Sequence, residues 1–319
     1  MSIGTSDQTT RDATNGAIPA VNAEPQAERQ YRARASDYAV ILKPRVMSLV
    51  VFTGFVGLML APGTIAFDTA LTAILCIALG AGASGAINMW YDRDIDLTMA
   101  RTKNRPIPAG RMPAGQALAI GSILSVGSVA VLAAKVNLIT AGLLAFTILY
   151  YVFIYTIWLK RRTPQNIVIG GVAGALPPMI GWAAVTGDVS LASFSLFLII
   201  MLWTPPHSWA LALFSRADYE RAGIPMLPVV AGIDATKRQI LIYTLLMLPV
   251  TLLPTVLGVS GLVYGAAATV LGGIFLWFTL RLKRDESNET ARPLFAFSIF
   301  YLFMIFVFLL VDRAVLSLL

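Results

Sequence analysis

The amino-acid sequence predicts an all-α protein, a polytopic integral membrane bundle of about nine transmembrane helices, from three observations. Only 13% of its 319 residues are charged, against about a quarter in an ordinary soluble domain. Hydrophobic residues make up 57% of the chain and the mean hydropathy is +0.74, more apolar side chain than one buried core can hold. The apolar residues gather into runs of about 20, the length of helix that crosses a bilayer core. Together these exclude a conventional cytosolic enzyme.

The first segment, 1–36, is polar and lacks the apolar stretch of a secretory signal. It reads as a disordered cytoplasmic tail, which leaves 37–319 as the membrane domain. Nine apolar stretches follow, near 46–62, 69–90, 115–135, 138–159, 166–186, 191–214, 239–259, 262–280 and 294–311, each predicted to be a transmembrane helix. Pro177-Pro178, Pro205-Pro206, Pro249 and Pro254 lie inside spans, where neighbouring helices can satisfy the backbone groups that a proline frees.

An odd number of spans puts the termini on opposite sides, and alternate loops then sort the charge. Of the 24 Lys and Arg residues, 22 fall on the side of the N-terminal tail, together with 91–114, 160–165, 215–238 and 281–293; only Lys135 and Arg313 fall opposite. By the positive-inside rule that side is cytoplasmic, with the N-terminus inside and the C-terminus outside. The net charge of +7, which in a soluble protein would suggest nucleic acid, is then mostly orientation in the lipid bilayer, and no nucleic-acid partner is expected. The opposite loops are short and nearly uncharged, so chemistry is expected at the cytoplasmic face.

Few residues can carry that chemistry. Cys76 is the only cysteine, which excludes a disulfide framework and a zinc-ligand pattern. Gly80-Ala-Gly82-Ala-Ser-Gly85 is no dinucleotide fingerprint and reads as close helix packing. The informative stretch is Asn88-Met-Trp-Tyr-Asp92-Arg-Asp94-Ile-Asp96, at the cytoplasmic end of the second span. If the helix continues through it, Asn88, Asp92 and Asp96 share one face while Asp94 points elsewhere. Carboxylates four apart at membrane depth call for a compensating cation. Hard oxygen donors of this kind suit Mg2+, which takes one or two carboxylates plus phosphate oxygens of a substrate. Arg101, Lys103 and Arg105 follow at alternate positions. In an extended loop they would point to one side and grip a diphosphate. The plain alternative is solvated charge at the end of a span and a positive-inside anchor.

Other candidates are more scattered. Asp218, in Arg216-Ala-Asp-Tyr-Glu-Arg221, leaves the sixth span, and Lys43-Pro44-Arg45 opens the first. His207, in Trp203-Thr-Pro-Pro-His-Ser-Trp209, is the single histidine and lies inside an apolar span, where an ionisable group is a functional candidate by default. Packing and a haem contact both remain open for it. One histidine cannot make a bis-histidine site, so haem, if present, is expected as a transient substrate and not a retained cofactor. Trp90, Tyr91, Trp203 and Trp209 are available to line a water-poor chamber.

The pattern Asn88-x-x-x-Asp92-x-x-x-Asp96 at a span end resembles the first acidic motif of the UbiA superfamily of intramembrane prenyltransferases. The longer run from Asn88 to Asp96 followed by Arg101-Thr-Lys-Asn-Arg-Pro106 is similar to the haem-farnesylating branch of that superfamily. So are Lys43-Pro44-Arg45, Thr204-Pro-Pro-His207 and Asp218-Tyr219 leading into Ala222-Gly-Ile-Pro-Met-Leu-Pro-Val229. The resemblance implies Mg2+-dependent transfer of a farnesyl group from farnesyl diphosphate to a vinyl group of haem B, with water added, giving haem O. It implies that Asn88, Asp92 and Asp96 hold Mg2+ on the diphosphate with help from Asp218, that Arg101, Lys103, Arg105, Lys43 and Arg45 lie beside it, and that His207 is a haem-binding candidate. It also implies a bacterial-type cytoplasmic (inner) membrane, and leaves open whether haem A synthase or a terminal-oxidase assembly factor takes the product. One departure matters: many members carry two aspartates four apart in the second motif, whereas Asp218 is followed by Ala222, which puts a second metal site in question. Two other readings are a prenyltransferase for another aromatic or tetrapyrrole acceptor, and a multi-span transporter, which would carry charge at the midplane of several spans.

Overall fold

Proline sets the first feature of the bundle. In the computed structural model, which describes residues 31–316 and 318, α1 (Ala35–Ile41) and α2 (Pro44–Leu60) meet at a 53° bend. A residue before proline is pushed out of the right-handed helical region, and Lys43 sits at φ 52°, ψ 53°, the left-handed region that costs a non-glycine residue roughly 1 kcal/mol. The tail expected over 1–36 lies, for its first thirty positions, outside the described residues.

The remaining elements follow in order: α3 (Phe67–Tyr91), α4 (Arg93–Thr98), α5 (Ala114–Lys135), and α6 (Leu138–Leu149), which runs on as a π-helical segment, Tyr150–Leu159. Next come α7 (Asn166–Ala175) and α8 (Pro177–Thr186), separated at Leu176 because Pro177 and Pro178 offer no N–H to continue the ladder. After α9 (Leu191–Phe214), continuous through its proline pair, come α10 (Arg216–Arg221), α11 (Leu227–Val230), α12 (Ile233–Thr251), α13 (Leu253–Val256), α14 (Leu262–Arg284) and α15 (Ala291–Leu316). Among the described residues there is no strand. Eight helices are long and apolar enough to cross a membrane, or nine when α1 and α2 count as one bent span. Several helices outrun their apolar runs, since α15 keeps polar and charged residues in its end turns.

Two buried clusters hold the bundle. One draws on α9, α12, α14 and α15, the other on α2, α3, α6 and α8. The tightest crossing is between α2 and α8. A Cβ on Gly57 would stand 2.1 Å from the Pro178 carbonyl oxygen, and one on Gly181 would stand 1.9 Å from the Gly54 carbonyl oxygen. Only glycine allows backbones to meet so closely.

Candidate active site

The second cluster surrounds a cavity of ≈ 320 Å³ whose character changes along its length. At one end it is lined by Lys43, Asn88, Asp96, Arg101, Arg105 and Lys160; at the other by apolar side chains that include Val50, Ile77, Leu144 and Ile180. Four cations thus stand at the mouth of an otherwise oily chamber.

The acidic residues are placed by the end of α3. Regular α-helix stops at Tyr91, yet the Asp92 N–H donates to the Asn88 carbonyl at 2.9 Å and the Asp96 N–H to the Asp92 carbonyl at 2.8 Å, so the four-residue phase survives the break into α4. Asn88 is the hub. Its Nδ2 donates to Asp92 Oδ2 at 2.7 Å and to Thr156 Oγ1 at 3.2 Å, and its Oδ1 accepts from Lys43 Nζ at 2.5 Å. Asp92 is fully buried behind the cavity wall, its Oδ2 ion-paired with Lys160. Its Oδ1 has no hydrogen-bond partner among the described residues and faces Arg161 Nη2 at 3.5 Å. Asp96 Oδ2 accepts from Arg105 Nη1 at 2.7 Å, and Thr102 Oγ1 donates to the Asp96 carbonyl at 2.9 Å. Asp94 points outward at 60% exposure and pairs with Arg161, which holds its carboxyl below the usual carboxylate range.

The π-helical segment supplies the opposite wall. Lining positions on this strip are Leu144, Thr147, Tyr151, Tyr155 and Lys160, so the spacing widens from three and four to five where the Lys160 N–H donates to the Tyr155 carbonyl at 2.9 Å. The wide turn carries Thr156 to Asn88 and Lys160 to Asp92; π turns recur at functional sites for this kind of reason. Gly170 makes room, since a Cβ there would lie 2.2 Å from the Tyr155 ring.

The structure does not bring every candidate together. Residues 101–105 are not extended: the Thr102 and Lys103 N–H groups donate back to the Met99 carbonyl at 3.1 and 3.0 Å, and the Arg105 N–H to Thr102 at 2.9 Å. In such turns positions four apart share a side, so Arg101 and Arg105 line the cavity while Lys103 is exposed and does not. Arg45 is exposed too. Asp218 is ion-paired with Arg221 on its own short helix, and its neighbour Tyr219 lines the cavity instead. His207 does not line it: the ring lies between Trp203 and Phe295, with centroids 4.3 and 4.7 Å away, and its Nδ1 shares a hydrogen bond with Ser298 Oγ at 2.7 Å. The aromatic lining is Tyr151, Tyr155 and Tyr219, not the tryptophans.

Sequence reasoning missed Lys160, Arg161, Thr156 and Asn166. The Lys-Arg-Arg run at 160–162 reads as a topology anchor, and nothing in Tyr150–Leu159 announces a π-helix. Asn166 is fully buried and lines the cavity with its Oδ1 unpartnered.

No group of three His, Cys, Asp or Glu residues converges among the described residues, which therefore form no all-protein metal cage among themselves. The donors present still suit a hard divalent ion by their chemistry: Asn88 and Asp96 line the cavity, where there is room for phosphate oxygens and water, and the buried Asp92 lies behind them with one oxygen that has no hydrogen bond among the described residues.

The bundle has counterparts among known proteins. The UbiA prenyltransferase family profile matches residues 50–307. A protein of Parvibaculum lavamentivorans named protoheme IX farnesyltransferase is 59% identical over 88% of this chain and 89% of its own length. One of Rhizobium meliloti with the same name is 60% identical over 91% and 93%. Among solved structures, one from work on digeranylgeranylglyceryl phosphate synthase in membranes superposes with TM-score 0.73 at 17% identity, covering 87% of this chain and 97% of that one. A UbiA homologue of Archaeoglobus fulgidus bound to GPP and Mg2+ superposes with TM-score 0.56 at 16% identity, covering 86% and 99%. The structural likenesses speak for the fold. With the family profile spanning most of the bundle and relatives near 60% identity over nearly the whole of it, the chain belongs to the UbiA prenyltransferase family.

Proposed function

We propose that this chain transfers a farnesyl group from farnesyl diphosphate to a vinyl group of haem B, with water added, to give haem O, and that it does so with Mg2+ at the cytoplasmic face of a bacterial-type inner membrane. The observation that supports it most is the single cavity joining a cationic and acidic mouth to an apolar depth, a shape matched to a molecule with a diphosphate head and an isoprenoid tail. The acceptor and the chain length rest on the relatives' name, and the metal on the donor set and on the Archaeoglobus homologue bound to GPP and Mg2+.

In this reading Lys43, Arg101, Arg105 and Lys160 take the diphosphate oxygens, and Asn88, Asp92 and Asp96 hold the metal. Asp218 would join them only by leaving Arg221. Bound Mg2+ would supply Lewis-acid neutralisation of the charge that grows on the diphosphate. The bond between farnesyl C1 and oxygen breaks with its electron pair leaving on the diphosphate, where the preorganised cations stabilise it. Tyr151, Tyr155 and Tyr219 supply aromatic π-electrons around the allylic cation. The apolar lining keeps water away until the vinyl π-electrons bond to C1. Water then adds to the carbon next to the porphyrin and releases a proton. The N-terminus and the charged loops lie in the cytoplasm and the C-terminus outside, as the distribution of Lys and Arg requires.

The mass of haem extracted from membranes tests the reading: a farnesyl-plus-water increment that depends on this protein is expected. Chelation with EDTA is expected to bring that product to background and added Mg2+ to restore it, and turnover indifferent to chelator would eliminate the acidic site. His207 remains the haem-side candidate, because among the described residues its Nε2 has no protein partner. His207→Gln is therefore expected to raise KM for haem several-fold and leave KM for farnesyl diphosphate unchanged; equal shifts in both would assign it to packing alone.

A further inference from the structure

The lining residues of the cavity run in order along their helices. On α3 the series goes from Asn88 to Ile77, on α6 it ends at Leu144, and on α8 at Ile180, each the lining residue farthest from the charged mouth on its own element. All three belong to one buried cluster, with exposures of 1%, 2% and 1%. Ile77 and Leu144 are closely packed against neighbouring backbone. A Cβ on Gly54, at the crossing of α2 and α8, would stand 3.3 Å from Ile77 Cδ1, and one on Gly80 would stand 2.9 Å from Leu144 Cδ1.

Eleven residues separate Asn88 from Ile77, which at 1.5 Å per residue is about 16 Å of helix. An isoprene unit advances the chain by four carbon–carbon bonds of ~1.5 Å each, or roughly 5 Å when extended. Three units then reach about 15 Å and four about 20 Å. Measured along α3, the span from Asn88 to Ile77 matches the fifteen-carbon chain more closely than the twenty-carbon one.

We infer that Ile77, Leu144 and Ile180 form a floor that measures the isoprenoid donor, so that chain-length selection resides in these three side chains. The inference rests on the prenyl-transfer reading above. Its test is competition within one sample: the purified full-length protein receives haem B with equal amounts of geranyl, farnesyl and geranylgeranyl diphosphate, and the prenylated haems are separated by mass. The ratio of products does not depend on how much of a variant is folded. Ile77→Ala, Leu144→Ala and Ile180→Ala are each expected to raise the twenty- to fifteen-carbon product ratio by about tenfold or more, the discrimination that a few methylenes in an apolar pocket provide. Ile180→Phe, which fills the floor, is expected to move the fifteen- to ten-carbon ratio down by a similar factor. Unchanged ratios in active variants overturn the floor, and so does loss of all three products throughout the set, since a length-measuring residue leaves the ten-carbon donor usable. Absence of any prenylated haem from the unaltered protein overturns the underlying reading instead, and the floor with it.

Discussion

Replacing Asp92 by alanine is expected to lower farnesyl transfer by at least about 10³-fold, close to 4 kcal/mol of transition-state stabilisation, in protein that still inserts in the membrane. Asp92 is fully buried and carries the orphaned oxygen, and among the described residues it is the carboxylate against which Lys160 is held. Its loss leaves Lys160 and Arg161 without this counter-charge beside Asn88, and removes a metal donor in the proposed mechanism. Asp92→Asn separates the two effects, because it keeps the shape and removes the charge; it is expected to be nearly as inactive. Asp96→Ala is expected to behave alike, because it removes the carboxylate that holds Arg105 at the mouth and a proposed metal donor. Asp94→Ala should stay within about tenfold of the unaltered protein, since Asp94 faces outward and pairs with Arg161 away from the cavity lining. The check is product mass per unit of inserted protein; normal haem O formation by Asp92→Ala or Asp96→Ala would sink the assignment of the site.

The largest effect on stability is expected from Gly57→Ala and Gly181→Ala. A methyl group at either position would meet backbone carbonyl oxygen, at 2.1 Å from Pro178 and 1.9 Å from Gly54, where ordinary contact lies at 3.4–4 Å. Backbone cannot rotate aside as a side chain can, so α2 and α8 must separate by more than an ångström. The cost is expected at or above the upper end of overpacking, about 3 kcal/mol, read as a drop of several degrees in the thermal midpoint of the purified protein. Because α2 carries Lys43 and Val50 and α8 carries Ile180, activity should fall as well. Gly115→Ala and Gly127→Ala in α5 provide the comparison, with nothing within 4 Å of the added methyl. There the gain in helix propensity, up to ~1 kcal/mol, should leave the midpoint level or raised. An unshifted midpoint for Gly57→Ala would mean that the two helices do not cross this closely.

The fold was legible because each span is a composition signal: a run of about 20 apolar residues needs no tertiary context to be recognised. The break between α1 and α2 was half legible, since Pro44 is plain in the sequence but the helix before it is only seven residues long. At the site, Asn88, Asp92 and Asp96 stood out because a local period of four encodes a shared face, and it does so even across the change from α3 to α4. The cations were harder. Alternation at 101, 103 and 105 has meaning only for an extended chain, and the backbone bonds to Met99 that turn this segment are not written in its composition. Lys160 and Thr156 reach Asn88 and Asp92 from 68 residues away in the chain, a contact that no local pattern encodes. His207 shows the opposite limit: a lone histidine in an apolar span attracts attention, yet the structure surrounds it with rings and a serine.

The wide turns between Tyr150 and Leu159 have a consequence for how this wall of the site tolerates change in chain length. A π turn holds one residue more than an α turn over nearly the same rise, so the segment behaves as an insertion accommodated in place. Deleting a single residue there would let the helix relax to 3.6 residues per turn, rotating everything beyond it by about 100° and moving Lys160 off Asp92 with no chemical group lost. Register, as much as residue type, addresses the ammonium to its carboxylate. Substitutions on the lipid side of this strip can therefore be many and harmless, while a one-residue gap in it cannot.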